Sequence, residues 1–140
     1  MQSEQKLQVP EDRGILVFVS YVTKDAPAFN IKGIVEELTK TPDIFDVLYN
    51  KKTCIKFTSD NLGNCDVVLL FCSPTALNSE SVKKEWTVAD AMNKPIIPVF
   101  FKPDHIPPLL RSRLGVEFDQ FDFEENVKQL HQLILKKAQE

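Results

Sequence analysis

Asp66-Val67-Val68-Leu69-Leu70-Phe71-Cys72-Ser73-Pro74 decides how this chain folds. Six consecutive apolar side chains between an aspartate and a Ser-Pro pair are too few for a helix. They suit a strand covered on both faces, because a strand with one wet face alternates apolar and polar residues. Upstream, Ile15-Leu16-Val17-Phe18-Val19 has the same character. Downstream, Pro95-Ile96-Ile97-Pro98-Val99-Phe100-Phe101 reads as another such strand. Its prolines place it near a sheet edge or demand bulges. Ile44 to Tyr49 and Val116 to Phe118 complete a set of five strands.

Helical spacing fills the gaps. Asp25 is placed to cap a helix carrying Ile31, Ile34, Val35 and Leu38. A second helix runs from about Ser79 to Asn93, and Leu109 to Leu114 makes a short helical turn. The last helix bears Phe123, Val127, Leu130 and Ile134 on one stripe and closes on Lys136-Lys137, favourable at a helix C-terminus. The stretch from Asn50 to Asn64 reads as a helix weakened by Thr53, Thr58, Ser59 and Asn61. Strand and helix alternate throughout, which predicts a single α/β domain with a flavodoxin-like, five-stranded parallel sheet flanked by helices. It is expected to span residues 14–140, behind a flexible leader at residues 1–13 that carries no periodic apolar pattern.

Composition narrows the function. With 140 residues, 43% hydrophobic and 26% charged, the chain suits one globular core rather than disorder or two independent cores. No apolar run approaches the roughly 20 residues of a membrane-spanning helix, and the polar N-terminus lacks a secretory h-region. Three cysteines, Cys54, Cys65 and Cys72, leave at least one without an internal partner and match no zinc spacing. A reducing, cytoplasmic location is the expectation. A net charge of -3 gives no reason to expect nucleic acid as the main partner.

In parallel sheets of this kind ligands bind outside the carboxyl ends of the strands, where strand order reverses. The residues leaving the strands are Ser20-Tyr21, Asn50-Lys51-Lys52, Ser73 and Lys102. The four glycines are scattered, so no phosphate cradle forms, and no aspartate ends the first or third strand to accept a phosphoryl group. His105 and His131 read as a loop and a surface residue, which leaves little support for a serine or cysteine triad. Glu85 stands out. On its helix Val82, Trp86 and Ala89 form the apolar stripe, and Glu85 falls beside it while Lys83 and Lys84 face outward. A carboxylate turned inward is costly unless it has a partner or a use.

Three ordered blocks now carry a resemblance. They are Phe18-Val19-Ser20-Tyr21 with Asp25, Cys65 through Pro74, and Lys84-Glu85-Trp86 running to Lys94-Pro95-Ile96-Ile97-Pro98-Val99. Together they resemble the Toll/interleukin-1 receptor (TIR) domain family, in particular its prokaryote-like NAD-cleaving branch. The resemblance implies the alternating α/β fold and a role in signalling, innate immunity included. It also implies cleavage of the nicotinamide–ribose bond of NAD+ by a glutamate on the helix after the third strand, which is Glu85 here. NAD+ is then substrate, with no separate cofactor and no metal.

By family position Ser20 and Tyr21 line the pocket beside the first strand. Tyr49, Asn50 and Lys51 belong to the loop after the second strand, which gates the site and mediates self-association with other TIR domains. Ser81 stands where many members carry a tryptophan that contributes to the pocket. The loop Asn50-Lys51-Lys52-Thr53 lacks the family's usual acidic and Pro-Gly elements. Two alternatives stay open: a non-catalytic TIR interaction module, and a related N-glycosidase acting on nucleosides.

Overall fold

Val67–Cys72 is strand β3, and all six of its side chains are buried. In the computed structural model, which describes residues 14–49 and 62–139, β3 is the centre of a five-stranded sheet of order β2-β1-β3-β4-β5. The other strands are β1 (Ile15–Ser20), β2 (Ile44–Leu48), β4 (Ile96–Phe100) and β5 (Val116–Glu117). All four pairings are parallel. The helices are α1 (Ala26–Phe29), α2 (Ile31–Thr39), α3 (Pro74–Leu77), α4 (Glu80–Ala91) and α5 (Phe123–Ala138). The expected leader and most of the expected helix between Asn50 and Asn64 lie outside the described residues; residues 62–64 are helical.

The pleat sorts the central strands into two layers. Val17 and Val19 of β1 pack with Val67, Leu69 and Phe71 of β3 against Ile31, Ile34 and Leu38 of α2 and Leu130 and Ile134 of α5. The alternate residues Phe18, Val68, Leu70 and Cys72 pack against Val82, Trp86 and Ala89 of α4. A continuous apolar strand is what such two-sided cover requires. Asp66 sets the register at the start of β3: its N–H donates to the Leu16 carbonyl at 2.8 Å, and its carboxylate accepts from the Leu16 N–H at 2.8 Å.

Three details depart from the sequence reading. Asp25 makes no side-chain cap. The helical segment after β1 is instead broken at Asn30, which adopts the left-handed conformation (φ 53°, ψ 52°) and caps α2 through its own side chain, accepting from the Gly33 N–H. The prolines of β4 do place it near the sheet edge, next to the two-residue edge strand β5, and they need no bulge, since β4 runs in unbroken register with β3. Alternation explains their tolerance. The Pro95 carbonyl faces β3, accepting from Val68 N–H at 2.9 Å, whereas the Phe100 carbonyl faces the β5 side, accepting from Phe118 N–H at 2.7 Å. Pro98 shares the orientation of Phe100, so its missing N–H points beside Gly115, just before β5 begins at Val116.

The expected helical turn at Leu109–Leu114 is a 3-10 turn confined to Pro108–Leu110. His131, expected at the surface, is half-buried on α5 with Nε2 3.5 Å from the Asp43 carboxylate.

Candidate functional site

The sheet reverses its strand order at β1 and β3. From β1 the chain moves outward to β2 on one side, and from β3 outward to β4 and β5 on the other. The carboxyl ends of β1 and β3 therefore flank the switch point at which α/β sheets bind ligands.

Alternation along β1 sends Ser20 to the same face as Phe18, toward α4, and Tyr21 to the opposite face with Val17 and Val19. On α4 the buried positions are Val82, Glu85, Trp86 and Ala89, the i, i+3, i+4, i+7 stripe of a helix laid on a sheet. Ser79 caps this helix, its side chain accepting from the Val82 N–H at 3.2 Å. Strand and helix together bring Ser20 and Glu85 into contact. The Ser20 hydroxyl donates to Glu85 Oε1 at 2.5 Å, with Ser20 fully buried and Glu85 8% exposed. That length belongs to the strong class of hydroxyl-to-carboxylate bonds.

Tyr21 works on the other side of the edge. Its hydroxyl donates to the Tyr49 carbonyl at 3.0 Å and so ties the end of β1 to the residue after β2. Burial pushes the Tyr21 hydroxyl above the ordinary tyrosine range, with smaller contributions from Tyr49 and the negative charge of Glu85. It therefore stays protonated and remains a donor at neutral pH. Tyr49 itself is half-buried, packed against the α2/α5 layer.

The structure thus gathers Ser20, Tyr21, Tyr49 and Glu85 along one stretch of sheet edge. Ser81 is exposed on α4, outside the buried stripe. Asn50 and Lys51 lie outside the described residues. Trp86, the single tryptophan of the chain, is 7% exposed and packs in the α4 layer as a core residue.

One pair escaped the sequence reading. The Ser73 hydroxyl donates to Asp25 Oδ2 at 2.5 Å while accepting from the Ala76 N–H at 2.9 Å. This pins the turn after β1 to the start of α3. Asp25 is a helix-capping residue type just before a helix, and nothing local showed that its carboxylate reaches another strand's end. The signal that did exist, Ser73-Pro74, an N-cap residue followed by proline at the first helical position, marks a helix start at the end of β3 and not the partner of the Ser73 hydroxyl.

Other chemistries find no support among the described residues. Burial pushes the thiols of Cys65 and Cys72 up to about 11 and about 12, which leaves both inert as nucleophiles at neutral pH. No three His, Cys, Asp or Glu side chains converge on a metal position among the described residues. No helix among them is long and apolar enough to cross a membrane. An open cleft of about 640 Å³ lies along β5 and the start of α5, lined by Glu117, Phe121 and Asn126 among others, and none of Ser20, Tyr21 or Glu85 lines it.

Comparison with known proteins adds three findings. The family model described as "TIR domain" matches residues 17–134. No curated protein sequence matches the chain. Among solved structures, the TIR domain of the Toll-related receptor TRR-2 from the lower metazoan Hydra magnipapillata is similar at a TM-score of 0.64 and 16% identity, over 85% of this chain and 97% of that one. The TIR domains of the activated Roq1 resistosome, which directly recognizes the pathogen effector XopQ, are similar at a TM-score of 0.53 and 16% identity, over 90% of this chain and 80% of that one. A de novo designed Rossmann 2x3 protein is similar at 0.51 and 16%, over 89% and 90% of the two chains. At such identities these likenesses speak for the fold.

Proposed function

The chain belongs to the TIR domain family, and from that premise we propose that it is an NAD+ glycohydrolase with Glu85 as its essential carboxylate. The observation that carries the reading is the Ser20–Glu85 pair, a buried carboxylate held by a buried hydroxyl at the switch point of the sheet. A glutamate on the otherwise apolar, buried face of its helix is costly to keep, and the stripe would accept an apolar residue at that position.

The chemistry asks little more of the protein. The nicotinamide of NAD+ is already cationic, so the bond between its nitrogen and C1′ of the ribose breaks without a proton being supplied. The bonding pair leaves with nicotinamide and neutralises it, while positive charge builds on the ribose ring as in an oxocarbenium-like transition state. A fixed carboxylate beside that ring stabilises the charge as it appears and orients the ribose hydroxyls. Attack of water at C1′, with loss of its proton, yields ADP-ribose; attack by the adenine of the same molecule yields a cyclic ADP-ribose.

Tyr21 and Tyr49 shape the edge of the pocket on the β2 side, with Asn50 and Lys51 following in sequence. The protein acts in the cytoplasm, and self-association completes the site, so activity rises faster than in proportion to protein concentration. A signalling role follows from NAD+ cleavage being switched by assembly.

One observation favours a second reading, a non-catalytic interaction module. The only tryptophan is in the core, and the position four residues before Glu85 is an exposed serine, so no indole is offered to stack on a ligand. The two readings separate in one assay. Concentrated protein is incubated with NAD+ and free nicotinamide is measured, beside Glu85→Ala shown to be folded. Release that disappears with Glu85 supports the enzyme. Self-association without release, in both proteins, supports the module.

A further inference from the structure

We infer that Ser20 is a positioning residue: its hydroxyl fixes the rotamer of the Glu85 carboxylate and does not itself line the pocket. The inference rests on the proposed role of Glu85 and goes beyond it, since family position would make Ser20 a pocket-lining residue. Two observations carry it. Ser20 has no exposed surface, and its oxygen lies 2.5 Å from Glu85 Oε1. The two residues are 65 positions apart, on different elements, so the bond does not arise from local helix geometry.

A glutamate has three side-chain torsions and, unrestrained, samples several orientations, each aiming its charge differently. The last residue of β1 is held by the sheet, with Leu70 as its partner on β3, so Ser20 cannot follow the carboxylate if it swings. The bond therefore anchors the acid to the sheet, and the charge is aimed before a ligand arrives. Electrostatic stabilisation of a developing charge depends on such preorganisation. Because the fixed carboxylate serves the transition state more than the bound substrate, its loosening should appear in kcat rather than in KM.

Ser20→Ala deletes one oxygen and keeps the packing of β1. Ile134→Val, in the α2/α5 layer on the other side of the sheet, serves as a control for general loosening of the core. With the full chain in the NAD+ assay, Ser20→Ala is expected to lower kcat by about 10- to 100-fold, the effect of one hydrogen bond to a charged group, with KM changed less than about twofold; Ile134→Val is expected to leave kcat unchanged.

The second readout needs no turnover. In protein carrying 13C-labelled glutamate, the Glu85 carboxyl resonance, assigned by its loss in Glu85→Gln, is expected to move and broaden in Ser20→Ala and to stay in place in Ile134→Val. An unchanged resonance, or wild-type kcat in Ser20→Ala, overturns the positioning role. If wild-type protein releases no nicotinamide, the glycohydrolase reading fails, and the resonance alone decides whether Ser20 holds Glu85.

Discussion

Gly115→Ala tests how the last strand is held. A Cβ built on Gly115 would lie 2.4 Å from the Pro98 carbonyl oxygen, 3.1 Å from Pro98 Cδ and 3.2 Å from the Pro98 carbonyl carbon. The first contact is with backbone and cannot be relieved by rotating a side chain. Either β4 or the entry to β5 must move, and β5 is the weaker partner because it has two residues, paired only to Val99 and Phe100. Moving it loosens Val116 and Phe118, now 2% and 6% exposed. It also disturbs the edge-to-face contacts of Phe118 with Phe29 and Phe101.

Overpacking of this kind costs about 1–3 kcal/mol, and partial loss of two buried side chains places the total at the upper end, about 3 kcal/mol. For a domain of this size that corresponds to a fall in Tm of roughly 10 °C. Urea and thermal unfolding of the two proteins measure it directly. A loss below about 0.5 kcal/mol would refute the reasoning, because it would mean that Gly115 and Pro98 are not in backbone contact. The clash lies at the junction of β4 and β5, two strands over from Ser20, so nicotinamide release per folded molecule should survive the change as long as β5 rather than β4 gives way.

Two further outcomes follow from the same structure. Asn30→Ala should destabilise by about 2 kcal/mol, because it loses both the left-handed tolerance at φ 53° and the cap on the Gly33 N–H, whereas Asn30→Gly should lose less; equal losses in urea unfolding would contradict this. The buried thiols should make the protein less stable in alkali. Cys65 and Cys72 are raised to about 11 and about 12 in the folded chain, so above pH 9 the unfolded chain sheds protons that the folded chain keeps. Stability should therefore fall with rising pH, by about 1.4 kcal/mol per unit for each thiol until its folded pKa is reached. Cys72→Ala should lessen the slope between pH 9 and 11, and an unchanged slope would show that Cys72 ionises in the folded state.

How much of this was legible in the sequence depends on how far each signal reaches. The unbroken apolar run Val67–Cys72 is a local consequence of two-sided cover, so β3 and the sheet class could be read directly. Glu85 was legible for the same reason, since its inward position follows from helical periodicity alone. The reversal at Asn30 was not, because Asn-Ile carries no strong breaker and the cap depends on the left-handed turn itself. Pro98 was informative because a proline is tolerated where its N–H side meets no long partner, which put β4 near the sheet edge, beside a β5 too short to supply one there. The partner of Ser20 lay furthest from view. Periodicity says which way Ser20 and Glu85 face, but that they meet depends on how α4 crosses the sheet, which no local pattern encodes.

The most direct test of the central claim is nicotinamide release from NAD+ by concentrated protein, measured beside Glu85→Ala whose unfolding transition shows it to be folded. The account predicts release by the wild type that rises more steeply than protein concentration and vanishes in Glu85→Ala. Undiminished release by Glu85→Ala, or none from wild-type protein that is folded and self-associated, would contradict it.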